Sequence, residues 1–358
     1  MRYVLGSLLV VLAVGCGGPA GAICAGGATY PDDGFSTNAA AELALAEQLE
    51  DLNGAIEDVN GRPTAAQLQA MFEAGTPSLA TLTAPGFAAT VPSIFAAVES
   101  SAGNSWTPAD PPASAGGRYG DVLFSARGVD LQEAIEKGVI GAGHFPEAVR
   151  LMAGDVTPKT IDRVLALYGT TPAFPMDTKA AVNPDRFSAG YAKRRTNPQA
   201  PTPGLYLVIK QAFIDARAAA AGGSACVAQR DAALATIRTD WERAIVGTVV
   251  FYLNSASLKL EKAAATDAEK ASALHAYNEA VGFLKGLRAA PATSRKLTDA
   301  QLDELLSTLL APVGQEPASY KLLTDTVGHL PRLSQAITQL QAAWGFTSDE
   351  VANFKVAY

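Results

Sequence analysis

Residues 244 to 253 read AIVGTVVFYL, ten in a row without a charge. They sit inside a longer stretch, Val227 to Leu260, that has apolar residues at helical spacing and no proline. A helix that is apolar all round is buried on every side. Ten residues are too few to span a bilayer, which takes about 20. The burial must therefore come from other helices of the same chain, and the expected fold class is all-α. Segments with alternating β-branched residues and hairpin turns are scarce, whereas Ala-rich runs with three- and four-residue spacing dominate.

The neighbours that such a helix needs can be read along the chain. Asn38 to Val59 carries Leu43, Leu45, Leu49, Leu52 and Ile56 on a broad face, with Asn38 as its cap and Asn60-Gly61-Arg62-Pro63 as its stop. Shorter helices are expected from Thr64 and near Pro92 to Glu99. Val129 to Met152 predicts a long helix that Pro146 must kink or restart. Thr157 and Pro158 open the next, as cap and first helical residue. Further helices are expected over Leu205–Ala220, Asp267–Arg288, Thr298–Leu310 and Ser319–Ala343, with a capping box at Thr298 and Gln301. Residues 100 to 120 are rich in Gly, Pro and Ser and read as a loop.

At 358 residues the chain has room for about two domains. The Pro-rich stretch 171–203 is the natural boundary. It separates an N-terminal helical bundle (37–170) from a C-terminal one (204–358). This stretch also holds the basic cluster Lys193-Arg194-Arg195, read as a solvated surface patch. Lys and Arg number 28 against 35 Asp and Glu, a net charge of −7. An acidic chain lacks the basic face that nucleic acid requires, so no nucleic-acid partner is expected. Three Cys and three His exclude a disulfide scaffold and a zinc-finger array.

The first sixteen residues, MRYVLGSLLVVLAVGC, place one Arg before a short apolar run and end on Cys16. This is the shape of a secretory signal peptide, 1–15. Ala13-Val14-Gly15-Cys16 resembles a bacterial lipobox, with Ala13 where Leu, Val or Ile is usual. Cleavage there leaves Cys16 as a lipidated first residue, followed by a flexible leader over 16–36. The protein is then held at the periplasmic face or the cell surface of a bacterial envelope. Cleavage after Ala20-Gly21-Ala22 is the alternative and yields a secreted protein. Cys24 and Cys226 could pair in such an oxidising compartment, and the sequence alone does not bring them together.

Two His–carboxylate pairs stand out, because His is so rare here. His144 and Glu147 are three apart; His275 and Glu279 are four apart. Both spacings put the side chains on one helix face. Either pair could hold a cation, as inward-facing Glu and His do in helical bundles, or could form a buried His–Glu hydrogen bond that ties two helices together. His329 reads as a surface or capping residue. Trp241 reads as core, and Asp240 and Glu242 beside it as solvated charges. A metallopeptidase site is disfavoured, since one H-x-x-E lacks a second His and a general base.

Four stretches resemble the imelysin-like families of bacterial envelope proteins: AIEKGVIGAGHFPEAVRLM, ATIRTDWERAIVGTVVFYLN, ALHAYNEAVGFLKGLR and KLTDAQLDELLSTL. More closely they resemble the imelysin-related all-helical lipoproteins. The resemblance implies two helical-bundle repeats. It also implies a G-x-H-x-x-E motif linked to iron acquisition. His144 and Glu147 match H-x-x-E, while Ala142 stands where the motif has Gly. The implied function is a non-catalytic lipid-anchored protein that helps iron or another divalent cation reach a transporter or other envelope partner. His144 and Glu147 would be the first ligands and His275 and Glu279 the second. A structural or protein-interaction lipoprotein with no small ligand is the alternative.

Overall fold

A computed structural model describes residues 24–58 and 60–358. The signal segment 1–15 and the lipidation residue Cys16 lie outside the described residues. The fold is all-α, and among the described residues there is a single two-stranded antiparallel hairpin, β1 (Gly117–Tyr119) and β2 (Val122–Phe124), inside and just beyond the expected loop. The longer helices are α1 (Ala40–Glu57), α2 (Ala65–Glu73), α3 (Val91–Ser101), α4 (Leu131–Val139), α5 (Phe145–Met152), α6 (Pro158–Tyr168) and α7 (Phe187–Arg194). They continue as α8 (Leu205–Ala221), α9 (Val227–Leu260), α10 (Asp267–Ala289), α11 (Asp299–Thr308), α12 (Pro331–Trp344) and α13 (Ser348–Phe354). No helix among the described residues is long and apolar enough to cross a membrane.

Helix α9 is the axis of the molecule. Ala244 to Val250 and Leu253 are all buried, and α7, α8, α10, α12 and α13 pack around it. Trp241 lies fully in the core, edge-on to Phe145 and Tyr168. The hydrophobic core is one contiguous cluster that takes residues from both expected bundles. The segment 171–203, expected as a linker, holds helix α7, whose Ala189, Tyr191 and Ala192 are buried in that core.

Side-chain caps set several of the helix starts. Thr64, Thr157, Thr298 and Thr347 each form a capping box before α2, α6, α11 and α13. Asn38 does not cap α1; Ala39 occupies that position. The Asn38 amide instead donates to Asp162 Oδ2 at 2.7 Å. Asp162, fully buried, also accepts from the Tyr30 hydroxyl (2.6 Å) and Arg217 Nε (2.8 Å). A buried carboxylate needs such donors, and it outbids the helix end for the asparagine. Residues 24–36, expected as a flexible leader, are thereby packed onto the fold, with Tyr30 and Phe35 buried. Cys24 is joined to Cys226 by a disulfide, Cα–Cα 5.2 Å.

Two expectations about charge are overturned. Arg195 is 4% exposed and not a solvated surface residue. Its guanidinium lies over the Phe251 ring at 3.9 Å and donates to the Phe354 carbonyl at 2.9 Å. Burial pulls its pKa down to about 10. Glu242 is also buried. Its carboxylate accepts the backbone N–H groups of Lys296 and Leu297, which fastens the chain ahead of α11 to α9. The expected helix over Ser319–Ala343 is broken into two single turns, Lys321–Thr324 and Thr326–His329, followed by α12.

Candidate functional site

The segment expected as a helix over 129–152 is one helical run from Leu131 to Met152, interrupted by a π turn, Ile140–His144, between α4 and α5. Pro146 has no N–H for the carbonyl four residues before it. That carbonyl, Ala142 O, accepts the Ala84 backbone N–H at 2.8 Å instead. The π turn therefore carries the helical run through Pro146, where the sequence predicts a kink or a fresh start.

His144 closes the π turn and is buried at 1% exposure, its ring edge-on to Phe187. Neither ring nitrogen has a hydrogen-bond partner among the described residues. Burial lowers its pKa to about 4, against a weak opposing pull from Glu136. Glu147 does not meet it. Both Glu147 oxygens are taken by Arg150, at 2.6 and 2.7 Å. The structure thus separates the first expected pair into a buried neutral imidazole and a surface ion pair.

The second pair is brought together, with more company than expected. His275 Nε2 lies 3.6 Å from Glu279 Oε2 on α10, and α4 faces them with Asp130, Glu133, Glu136 and Lys137. The two helices approach closely because glycines line the contact. A Cβ on Gly282 would lie 2.8 Å from Glu133 O, and one on Gly286 only 2.6 Å from Gly138 O. Larger residues there would push α4 and α10 apart.

Asp130 is the N-cap of α4. Its Oδ1 accepts the N–H groups of Gln132 and Glu133, which fixes the carboxylate, and its Oδ2 meets His275 Nδ1 at 2.8 Å. Lys137, buried, sets its ammonium 2.7 Å from Glu133, 2.7 Å from Glu136 and 3.5 Å from Glu279. Glu136 also accepts from the Tyr191 hydroxyl (2.9 Å), Gln132 Nε2 (2.9 Å) and Asn53 Nδ2 (3.2 Å).

The titration behaviour follows from this packing. Burial opposes the charge on His275, yet the Asp130 hydrogen bond and the charges of Asp130, Glu279 and Glu133 outweigh it and raise the imidazole to about 9. Burial likewise opposes Lys137, and Glu133 and Glu136 hold it well above its ordinary value. Burial raises Glu133 well above the usual carboxylate range, with Lys137 pulling the other way. Glu136 is the exception: Lys137, Tyr191 and Gln132 overcome its burial and lower it. Four carboxylates thus face two cationic groups. Fully ionised, the cluster would carry two uncompensated negative charges inside the protein. A proton or a further cation must make up that deficit.

Asp130, Glu133 and His275 each offer one ligand atom, and all three atoms lie within 4.8 Å of one another. A mixed oxygen and nitrogen donor set of this kind suits a first-row divalent metal. The His275 side chain is a third exposed, which opens the cluster to solvent. Asp130, Glu133, Glu136, Lys137 and Tyr191 were not singled out by the sequence. Glu133 and Lys137 stand four apart, and that spacing reads as an ordinary surface ion pair.

A family model described as "Domain of unknown function (DUF4856)" matches residues 167–347, just over half of the chain. The chain belongs to this family. No curated protein and no solved structure matches it. The DUF4856 match takes in α7 to α12, and with them Tyr191, His275 and Glu279. The α4 half of the cluster, Asp130 to Lys137, lies before the matched region.

Proposed function

We propose that this protein is a non-catalytic cation-binding protein of the bacterial envelope, built as an imelysin-like pair of helical bundles and lipid-anchored through Cys16. Asp130, Glu133 and His275 hold the cation, with Glu279 beside them. His144 and Glu147 take no part. The observation that carries this reading is the convergence of three ligand atoms from two helices within 4.8 Å, in a cluster short of positive charge. A divalent cation such as iron supplies that charge, and in binding it displaces the proton that His275 otherwise carries at neutral pH. The envelope location rests on the apolar leader ending in Cys16, and the imelysin-like reading on the four stretches named above.

The test is metal titration of the purified protein by calorimetry and thermal melting, with Fe(II), Mn(II) and Zn(II) tried singly. One metal should bind at one equivalent and raise the melting temperature. His275→Ala and Glu133→Gln should each weaken binding by about tenfold or more, while His144→Leu leaves it unchanged. A wild type with no metal-dependent shift would instead mark the cluster as a structural network, with a proton shared among its carboxylates. Cys16→Ser should move the protein from the membrane fraction to the soluble one.

A further inference from the structure

Another face of α10 lines a cavity of about 700 Å³, bounded by α3, the single turn Pro85–Ala88 and residues 312–317. Its volume is in the range of small-molecule sites. Phe87, Ile94, Leu131, Val281 and Leu306 give it apolar walls. Three cationic side chains reach it, and two of them are already neutralised. Arg127 pairs with Glu316 at 3.0 Å, and Arg288 with Asp303 at 2.6 Å. Lys285 is different. Half-buried on the cavity wall, it has neither a hydrogen bond nor an ion pair among the described residues. The carboxylate whose charge acts on it is Glu316, which Arg127 holds.

An ammonium that has only the cavity's water as partner loses that solvation when an apolar body fills the space, which is costly without a counter-charge. An anion delivered with an apolar body would remove that cost and fill the space at once. We propose that this cavity binds an amphipathic monoanion of the straight-chain carboxylate class. Its head pairs with Lys285, and its tail lies against Phe87, Ile94 and Val281. Burial depresses the Lys285 pKa, in keeping with an ammonium that lacks a partner. This site is separate from the cation cluster on α4 and α10, and either could fail without the other.

The experiment uses dodecanoate and dodecanol as probes, with binding followed by calorimetry. The wild type should bind dodecanoate at one equivalent and dodecanol at least tenfold more weakly. Lys285→Met should erase that preference, Lys285→Arg should restore it, and Val281→Trp, which fills the cavity, should abolish binding of both. Circular dichroism of each variant checks that it is folded. Equal affinities of the wild type for the two probes would overturn the proposal. So would dodecanoate binding that survives Lys285→Met unchanged, or no binding of either probe.

Discussion

Replacing His144 with leucine tests the oddest residue in the interior. The neutral imidazole is buried with its donor and its acceptor both unpartnered among the described residues. An unsatisfied buried polar group costs about 1–3 kcal/mol. Leucine has a similar size and no polar atoms, so at neutral pH His144→Leu should be more stable than the wild type by about 1–3 kcal/mol. The pH dependence sharpens the test. The folded pKa is about 4, whereas the unfolded imidazole titrates near 6.5. Below about pH 6.5 the unfolded chain therefore takes up a proton that the native state refuses. Stability contributed by the depressed pKa is whole above the unfolded value and is lost as pH falls through the folded one. At about 1.4 kcal/mol per pH unit, that gap is worth about 3 kcal/mol by pH 4. Urea unfolding of both proteins at about pH 7 and about pH 4.5 should show their stability difference widening by about 2–3 kcal/mol. Carboxylates elsewhere titrate in both proteins and cancel in the difference. A leucine variant less stable than the wild type at neutral pH, with an unchanged gap at low pH, would refute the reasoning. It would mean that the imidazole has a partner worth more than the penalty.

Three further outcomes are expected. Lys137→Met leaves Glu133, Glu136 and Glu279 buried without their shared cation and should cost about 3–5 kcal/mol in chemical denaturation. Gly286→Ala places a methyl 2.6 Å from the Gly138 carbonyl. It should lower stability by about 1–3 kcal/mol and, by prising α4 from α10, weaken cation binding as well. Reducing the Cys24–Cys226 bridge, which spans 202 residues of sequence, should lower stability by about 2–4 kcal/mol, read by denaturation with and without reductant.

The helices were legible where local rules act alone. Val227–Leu260 has the bounds its pattern predicts, and Thr157 and Thr298 cap as expected. Reading failed where a distant group competes for a residue. Asn38 leaves its helix end for Asp162, 124 residues away. Arg195 and Glu242 look like solvent charges until the backbone atoms they bind, at Phe354 and at Lys296 and Leu297, are brought to them by tertiary packing. The candidate site was half visible. Rarity pointed to His275 and Glu279, but Asp130 and Glu133 join them only because two glycines let the α4 and α10 backbones touch. That contact lies between segments about 145 residues apart.

The π turn also decides which way everything beyond it faces. Each α-helical residue advances the chain by about 100°, and a π turn accommodates one residue more than an α turn. Across Ile140–His144 the screw phase therefore slips by about one residue. Upstream of the slip the run faces α10; downstream, α5 faces α6 and α9. A single stretch from Leu131 to Met152 thus serves two differently oriented interfaces without a loop between them. Deleting one residue within the slip, Ala142 for example, would bring the two halves back into phase. Ala148 and Leu151 would then keep their places in the core, whereas the undeleted sequence wound as an unbroken α-helix would swing them out by about 100°.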